Sequence, residues 1–296
     1  MPTFNGIWPA LITPLTPDSR LNPTALQSVV KFLVDKGADG LYVLGATGQG
    51  LYFSIEERKR ITELVMQQVG WQRPVIVQVG SPVLGDAIEL AKHAAENGVA
   101  GISSLIPPGF SDRQTVLAYY RQLAEAIPDL PLLPYFWGDS AQSGHELLKA
   151  LVEIPNIAGV KYTSPNLFEF KKIVDLRTEN WSVFSGYDEQ SAYAAMTGSS
   201  GHIGSTLNFI PGVYKQIRQL ILSGEHTAAL DLQFKANRVT ALCIEYGFMA
   251  AIREVMRLLG LDCGQPRLPA PSFPELERPI FEDKLRELGF FELAEM

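Results

Sequence analysis

The run NIAGVKYTSP, residues 156–165, ends an otherwise strand-like apolar stretch on a single lysine, Lys161. Strand alternation puts Ile157, Gly159, Lys161 and Thr163 on one face and Ala158, Val160 and Tyr162 on the other. If that first face is buried, the ammonium is desolvated and its pKa falls. A lysine with a usable neutral fraction near pH 7 can attack a carbonyl carbon and form an imine. Taken alone, the segment also fits a lysine that snorkels to solvent or pairs with a carboxylate.

Two further stretches hold groups that suit this chemistry. In LPLLPYFWGD, Leu133, Tyr135 and Trp137 share a face, with Tyr135 near the strand end. A phenol beside an amine can relay protons while a carbinolamine forms and collapses; otherwise Tyr135 is a buried aromatic whose hydroxyl bonds to backbone. In GLYVLGATGQG a strand runs into a glycine-rich loop, Ala46–Gly50. Its amides, with the Thr47 hydroxyl, can form a nest for an anion such as a carboxylate. An ordinary strand-to-helix turn is the alternative. The loop lacks the GK[ST] of a phosphate-binding loop and the glycine spacing of a dinucleotide site.

Lys161, Tyr135 and the loop must be held at one end of a common scaffold, and the rest of the chain supplies a pattern for one. Short β-like runs alternate with helical ones: GIWPALIT, GLYVLG, RPVIVQVG, VAGISSLI, LPLLPYFW, NIAGVKYT, WSVFSG and GHIGS each precede a helical stretch. Eight units about 20–30 residues apart suit a parallel sheet. The pattern predicts an α/β fold, a (β/α)8 TIM barrel over residues 1–224, with the catalytic face at the C-terminal ends of the strands. An open doubly wound sheet is the competing topology. Consecutive barrel strands are neighbours, so Tyr135 and Lys161 can meet across the mouth. Helix signals agree: Asn22 before Pro23, and Ser54 with Glu57 as a capping box. Residues 225–296 read as helices only, about 225–245, 248–260 and 275–289, forming an extension of the same domain. Whether it packs on the barrel or serves oligomer contacts is left open.

Composition narrows the classes. The 296 residues are 46% hydrophobic and 19% charged, with a net charge of −7. No basic patch stands out, so nucleic acid is not an expected partner. No apolar run is long enough for a membrane span, and the N-terminus lacks a signal-peptide pattern; the expected location is cytoplasmic. Cys243 and Cys263 form no CxxC pair and read as buried free thiols. His93, His145, His202 and His226 have no metal-ligand spacing. His202 reads as a strand-entry residue near the expected site.

Taken in order, GATGQG, LPYFW, GVKYT, SGYDEQ and GHIGST resemble the N-acetylneuraminate lyase and dihydrodipicolinate synthase superfamily, pyruvate-dependent class I aldolases. The resemblance covers essentially the whole chain and is nearest to the lyase branch. It implies that Lys161 forms the imine with the keto carbon and that Tyr135 shuttles protons. It places the pyruvate carboxylate on Thr47 and the amides of the loop, with Ala46 at the neighbouring position. It puts Thr163, Gly186, Asp188, Glu189, Gly204 and Ser205 around the sugar and pyruvate. It implies a homotetramer, a 2-keto acid and an aldehyde or sugar as substrates, no metal, and no cofactor beyond the covalent imine.

The chain departs from the family pattern at several positions. Ala46 stands where a hydroxyl residue is common, and Gln49 replaces a glutamate. Pro108 and Gly109 occupy the place of an aromatic pair, and Phe110 has no hydroxyl, so the tyrosine that relatives lend to a neighbouring subunit is missing or differently supplied. Trp137 narrows the pocket. The synthases carry an arginine soon after the tyrosine, and FWGDSAQSG has none. The expected reaction is cleavage of a 2-keto-3-deoxy sugar acid, N-acetylneuraminate first among them. A related aldolase, synthase or dehydratase, and a barrel that binds a keto acid or sugar without turnover, are the alternatives.

Overall fold

The computed structural model describes residues 4–105, 112–137, 144–178 and 180–296. Pro108, Gly109 and Phe110, and the segment 138–143 after Trp137, lie outside the described residues.

Eight parallel strands occupy the positions anticipated: β1 (Gly6–Pro9), β2 (Leu41–Val43), β3 (Val75–Gln78), β4 (Gly101–Leu105), β5 (Leu132–Trp137), β6 (Gly159–Thr163), β7 (Ser182–Ser185) and β8 (Gly201–Gly204). They form one sheet in the order β1-β8-β7-β6-β5-β4-β3-β2. β1 and β2 are joined by an Ala10–Tyr42 bridge, with the Leu11 amide donating to the Tyr42 carbonyl at 2.8 Å. The sheet is therefore a nearly closed (β/α)8 barrel, and the open doubly wound alternative is excluded. Each strand leads to a helix: α1 (Pro23–Asp35), α2 (Ile55–Val69), α3 (Leu84–Glu96), α4 (Arg113–Glu125), α5 (Gly144–Leu151), α6 (Leu167–Asp175), α7 (Ser191–Met196) and α8 (Pro211–Leu222).

The local signals explain the helix starts. Asn22 accepts a bond from the Ala25 amide with proline next to it, and Ser54 and Glu57 close both halves of their capping box. The buried faces of these helices and the outer faces of the strands make one continuous apolar layer. A second, smaller cluster fills the barrel interior, including Trp8, Tyr42, Ile76, Leu133, Tyr135, Phe184 and Ile203.

The C-terminal segment forms α9 (His226–Glu245), α10 (Phe248–Leu258), α11 (Arg278–Glu287) and a further short helix, α12 (Phe290–Glu295). The expected helix at about 275–289 is α11, which ends just before Gly289 at φ +71°; α12 lies beyond it and was not anticipated. The extension packs onto the barrel. The fully buried Arg253 donates to the carbonyls of Cys263 at 2.7 Å and Thr13 at 3.0 Å. No helix is long and apolar enough to cross a membrane, among the described residues.

One expectation needs correction. Lys161 and Thr163 line the barrel mouth, but Ile157 belongs to the outer layer and Ala158 to the interior. The alternation slips one residue between them. From the Leu132–Ile157 bridge to the Tyr135–Lys161 pair, β5 advances three residues and β6 four. That is a β-bulge, one extra residue that re-aims those beyond it. Gly159 sits in it with φ +142°, where a Cβ would collide with the Ser182 carbonyl. Without the slip, Lys161 would share a face with Ile157 and point at the helices.

Gly159→Ala is therefore expected to cost about 3 kcal/mol or more, because backbone strain and a clash with main chain combine. Gly224→Ala, at φ +85° but with open space around its Cβ position, is expected to cost about 1–2 kcal/mol. Urea unfolding of the two variants checks the difference; equal costs would remove the bulge from the account.

Candidate active site

The C-terminal ends of the strands surround a cavity of about 410 Å³. Lys161 is at its floor, only 4% exposed, and its register partner across β5–β6 is Tyr135, 3% exposed. The amine lies 4.2 Å from the centroid of the Tyr135 ring and 4.2 Å from that of Tyr42. No carboxylate forms an ion pair with it among the described residues. Burial accordingly pushes the Lys161 pKa down to about 7, only partly opposed by the negative charge of Asp188. Burial pushes the Tyr135 phenol well above its ordinary range, opposed in part by the Thr163 hydroxyl beside it. At neutral pH the floor holds an amine that is partly neutral and a phenol that keeps its proton.

The glycine-rich loop forms one wall. Ala46 and Thr47 line the cavity, and no described group accepts from their amides. The Thr47 hydroxyl shares a 2.7 Å hydrogen bond with the Ser205 hydroxyl, tying the loop after β2 to the end of β8. Gln49 holds the loop from behind. Its side chain accepts from the Arg267 amide at 2.9 Å and donates to the Arg267 carbonyl at 3.0 Å, fastening the loop to the C-terminal extension.

Thr163, Gly186, Asp188, Glu189 and Ser205 all line the cavity. The Thr163 hydroxyl is buried in the cavity wall beside the Tyr135 phenol, whose ionisation it favours. Gly186 has no side chain because a Cβ there would strike that hydroxyl and approach Cε of Lys161. Burial, and then the neighbouring Asp188 charge, raise the pKa of the Glu189 carboxyl, partly opposed by its own backbone amide. Gly204 does not line the cavity. It sits behind the site, where a Cβ would meet the Asp188 carboxylate and the His202 ring.

Asp188 is held more tightly than the sequence suggests. One oxygen pairs with His202 Nε2 at 2.8 Å; the other accepts from the Thr206 amide at 2.7 Å and the Thr206 hydroxyl at 2.8 Å. Burial opposes its ionisation, but these donors outweigh burial and keep the carboxyl below its ordinary range. His202 is the second residue of β8, buried and stacked on Tyr214 at 5.6 Å. The α9 helix fixes the same turn: Gln233 donates to the Asp188 carbonyl at 3.0 Å and Asn237 to the Glu189 carbonyl at 3.1 Å.

Sequence reasoning passed over Tyr42, His202 as a partner of Asp188, and the rim residues Phe248 and Met249 from α10. Tyr42 had a signal, an aromatic at an alternate position in the short strand before the loop. The α10 residues had none, because only tertiary packing brings them to the mouth. Trp137 stands at the rim, 60% exposed. Among the described residues, no three His, Cys, Asp or Glu side chains converge as metal ligands.

Comparison with known proteins agrees with this geometry. Residues 3–288 match the model of the dihydrodipicolinate synthetase family. An N-acetylneuraminate lyase of Rhizobium meliloti is 34% identical over 93% of this chain and 92% of its own. That of Danio rerio is 32% identical over 95% of each. Among solved structures, N-acetylneuraminate lyase of Proteus mirabilis superposes with a TM-score of 0.92 at 28% identity, covering 97% of this chain and 99% of that one. The Aliivibrio salmonicida lyase gives 0.93 at 27% identity, covering 98% of both. A match over nearly the full length, with relatives above 30% identity, means that this chain belongs to the dihydrodipicolinate synthetase family.

Proposed function

We propose that the chain is a class I aldolase that cleaves a 2-keto-3-deoxy sugar acid, N-acetylneuraminate or a close relative, to pyruvate and an aldehyde. The observation that carries this reading is the amine of Lys161: desolvated, without an ion-pair partner, and paired in register with the phenol of Tyr135.

The neutral amine attacks the keto carbon, a C–N bond forms, and one amine proton passes to the oxygen to give a carbinolamine. Tyr135 then donates its proton to that hydroxyl, which leaves as water; the nitrogen becomes an iminium and Tyr135 a phenolate. The iminium draws the electron pair of the C3–C4 bond as it breaks, leaving an enamine, while the phenolate takes the C4 hydroxyl proton and the aldehyde departs. Tyr135 returns that proton to C3, and water hydrolyses the imine to free pyruvate. The loop amides of Ala46 and Thr47 suit the substrate carboxylate. Thr163 and Glu189 line the cavity and offer oxygen atoms to sugar hydroxyls, and Asp188, with three donors already bound, can accept little more.

A synthase-type reaction with a second substrate carboxylate is less well supported, because Lys161 is the only lysine or arginine among the described residues lining the cavity. A binding barrel without turnover would have no need of the unpaired, desolvated amine. The homotetramer implied by the resemblance is part of the proposal, and light scattering that finds a monomer would remove it.

Pyruvate with borohydride is expected to add one adduct per chain at Lys161, with Lys161→Ala abolishing it. A chain unmodified by pyruvate or any 2-keto acid tried would refute the aldolase reading. Tyr135→Phe should lower N-acetylneuraminate cleavage at least 100-fold, read as pyruvate release, with slower adduct formation surviving; undiminished turnover would take Tyr135 out of the mechanism.

Lys161→Met should stabilise the fold by about 4–5 kcal/mol near pH 7, because the amine's pKa falls from 10.5 unfolded to about 7 folded. The sign fixes the pH window. The penalty is complete below the folded pKa of about 7 and disappears as the pH rises to the ordinary value of 10.5. The gain from Lys161→Met should therefore shrink between those limits in denaturant melts, and a gain that grew with pH would contradict the assignment.

A further inference from the structure

Tyr42 is fully buried on β2, inside the barrel. Its hydroxyl donates to the Ser103 hydroxyl at 3.0 Å. What it presents to the Lys161 amine is its ring, centred 4.2 Å away. The Tyr135 ring stands at the same distance, and the two rings meet edge to face at 87° with centroids 6.2 Å apart. The nitrogen thus lies against two aromatic faces. The nearest acid in the floor, Asp188, is occupied by His202 and Thr206 and forms no ion pair with it.

This arrangement bears on the aldolase reading, on which the following rests. The iminium puts a full positive charge on the same buried nitrogen, and a buried cation with no partner is costly. A carboxylate in contact would stabilise the iminium, but it would stabilise the resting ammonium too and remove the neutral nucleophile. An aromatic face attracts a cation more weakly, and it has no basic lone pair with which to take the iminium proton.

We propose that Tyr42 is a catalytic residue whose ring face, together with that of Tyr135, supplies the counter-charge for the iminium formed on Lys161. The bond changes are those of the imine step: the C–N bond forms, the keto oxygen leaves as water with one proton from the amine and one from Tyr135, and the nitrogen keeps its last proton and the charge. Tyr42 exchanges no proton in this step. Its contribution is electrostatic, so it should follow the electron density of the ring rather than the hydroxyl.

The test replaces Tyr42 with phenylalanine and then with mono-, di- and trifluorinated phenylalanine in the full-length chain. Fluorine drains charge from the ring face while nearly preserving its shape. Tyr42→Phe is the reference, and the rate of borohydride-trapped adduct formation with pyruvate is the readout. The rate should fall stepwise with each fluorine, about tenfold across the series, at unchanged melting temperature. Tyr42→Leu, which removes the ring, should trap at least as slowly as the trifluorinated variant. A flat rate across the fluorinated series, or trapping by Tyr42→Leu as fast as by Tyr42→Phe, would overturn the proposal while leaving the aldolase reading intact. A parent chain that forms no adduct would overturn that reading, and this inference with it.

Discussion

The structure turns on burying one amine without giving it a counter-ion. A lysine at the floor of a barrel loses most of its hydration, and here no carboxylate in contact replaces it. The unfavourable charge shifts the group toward its neutral form. This strain is useful only if the rest of the molecule tolerates it. The outer apolar layer between sheet and helices, far larger than the interior cluster, provides that tolerance. The site is a place where stability is given up so that the amine can act as a nucleophile.

Much of the surrounding structure serves to keep negative charge near the amine but out of contact with it. Asp188 is ionised and buried, yet His202 and Thr206 hold both its oxygens, and Gly204 makes room for them. Gln233 and Asn237 from α9 fix the backbone of the same turn. Gln49, fastened to Arg267, holds the loop that carries Ala46 and Thr47. The C-terminal extension is thus part of what positions the site, and the charge lies far enough from Lys161 that the pKa still falls.

The eight-unit rhythm was legible in the sequence because each strand and helix carries its own period and punctuation. Asn22, Ser54 and Glu57 act locally, and their roles could be read locally. The adjacency of Tyr135 and Lys161 followed from topology alone. The phase of β6 could not be read, because the extra residue at Gly159 depends on pairing with β5 and β7; the expected inward Ile157 points outward, and Lys161 faces the cavity only through the bulge. Asp188 read as a sugar ligand because its motif names a residue type, whereas its three donors come from segments 14 and 18 residues further on. The last helix, Phe290–Glu295, was passed over for a simpler reason: six residues after a glycine are too few to show a helical period.

The central claim, that the Lys161 amine is desolvated and unpaired at rest, can be measured on the free protein without any substrate. Lysine labelled with 13C at the ε-carbon, with Lys161→Met used to assign the signal, gives the titration of this one group by NMR. The account predicts a midpoint near pH 7, several units below the remaining lysines. A midpoint at or above the ordinary lysine value would show an amine that is solvated or ion-paired, and would contradict the account.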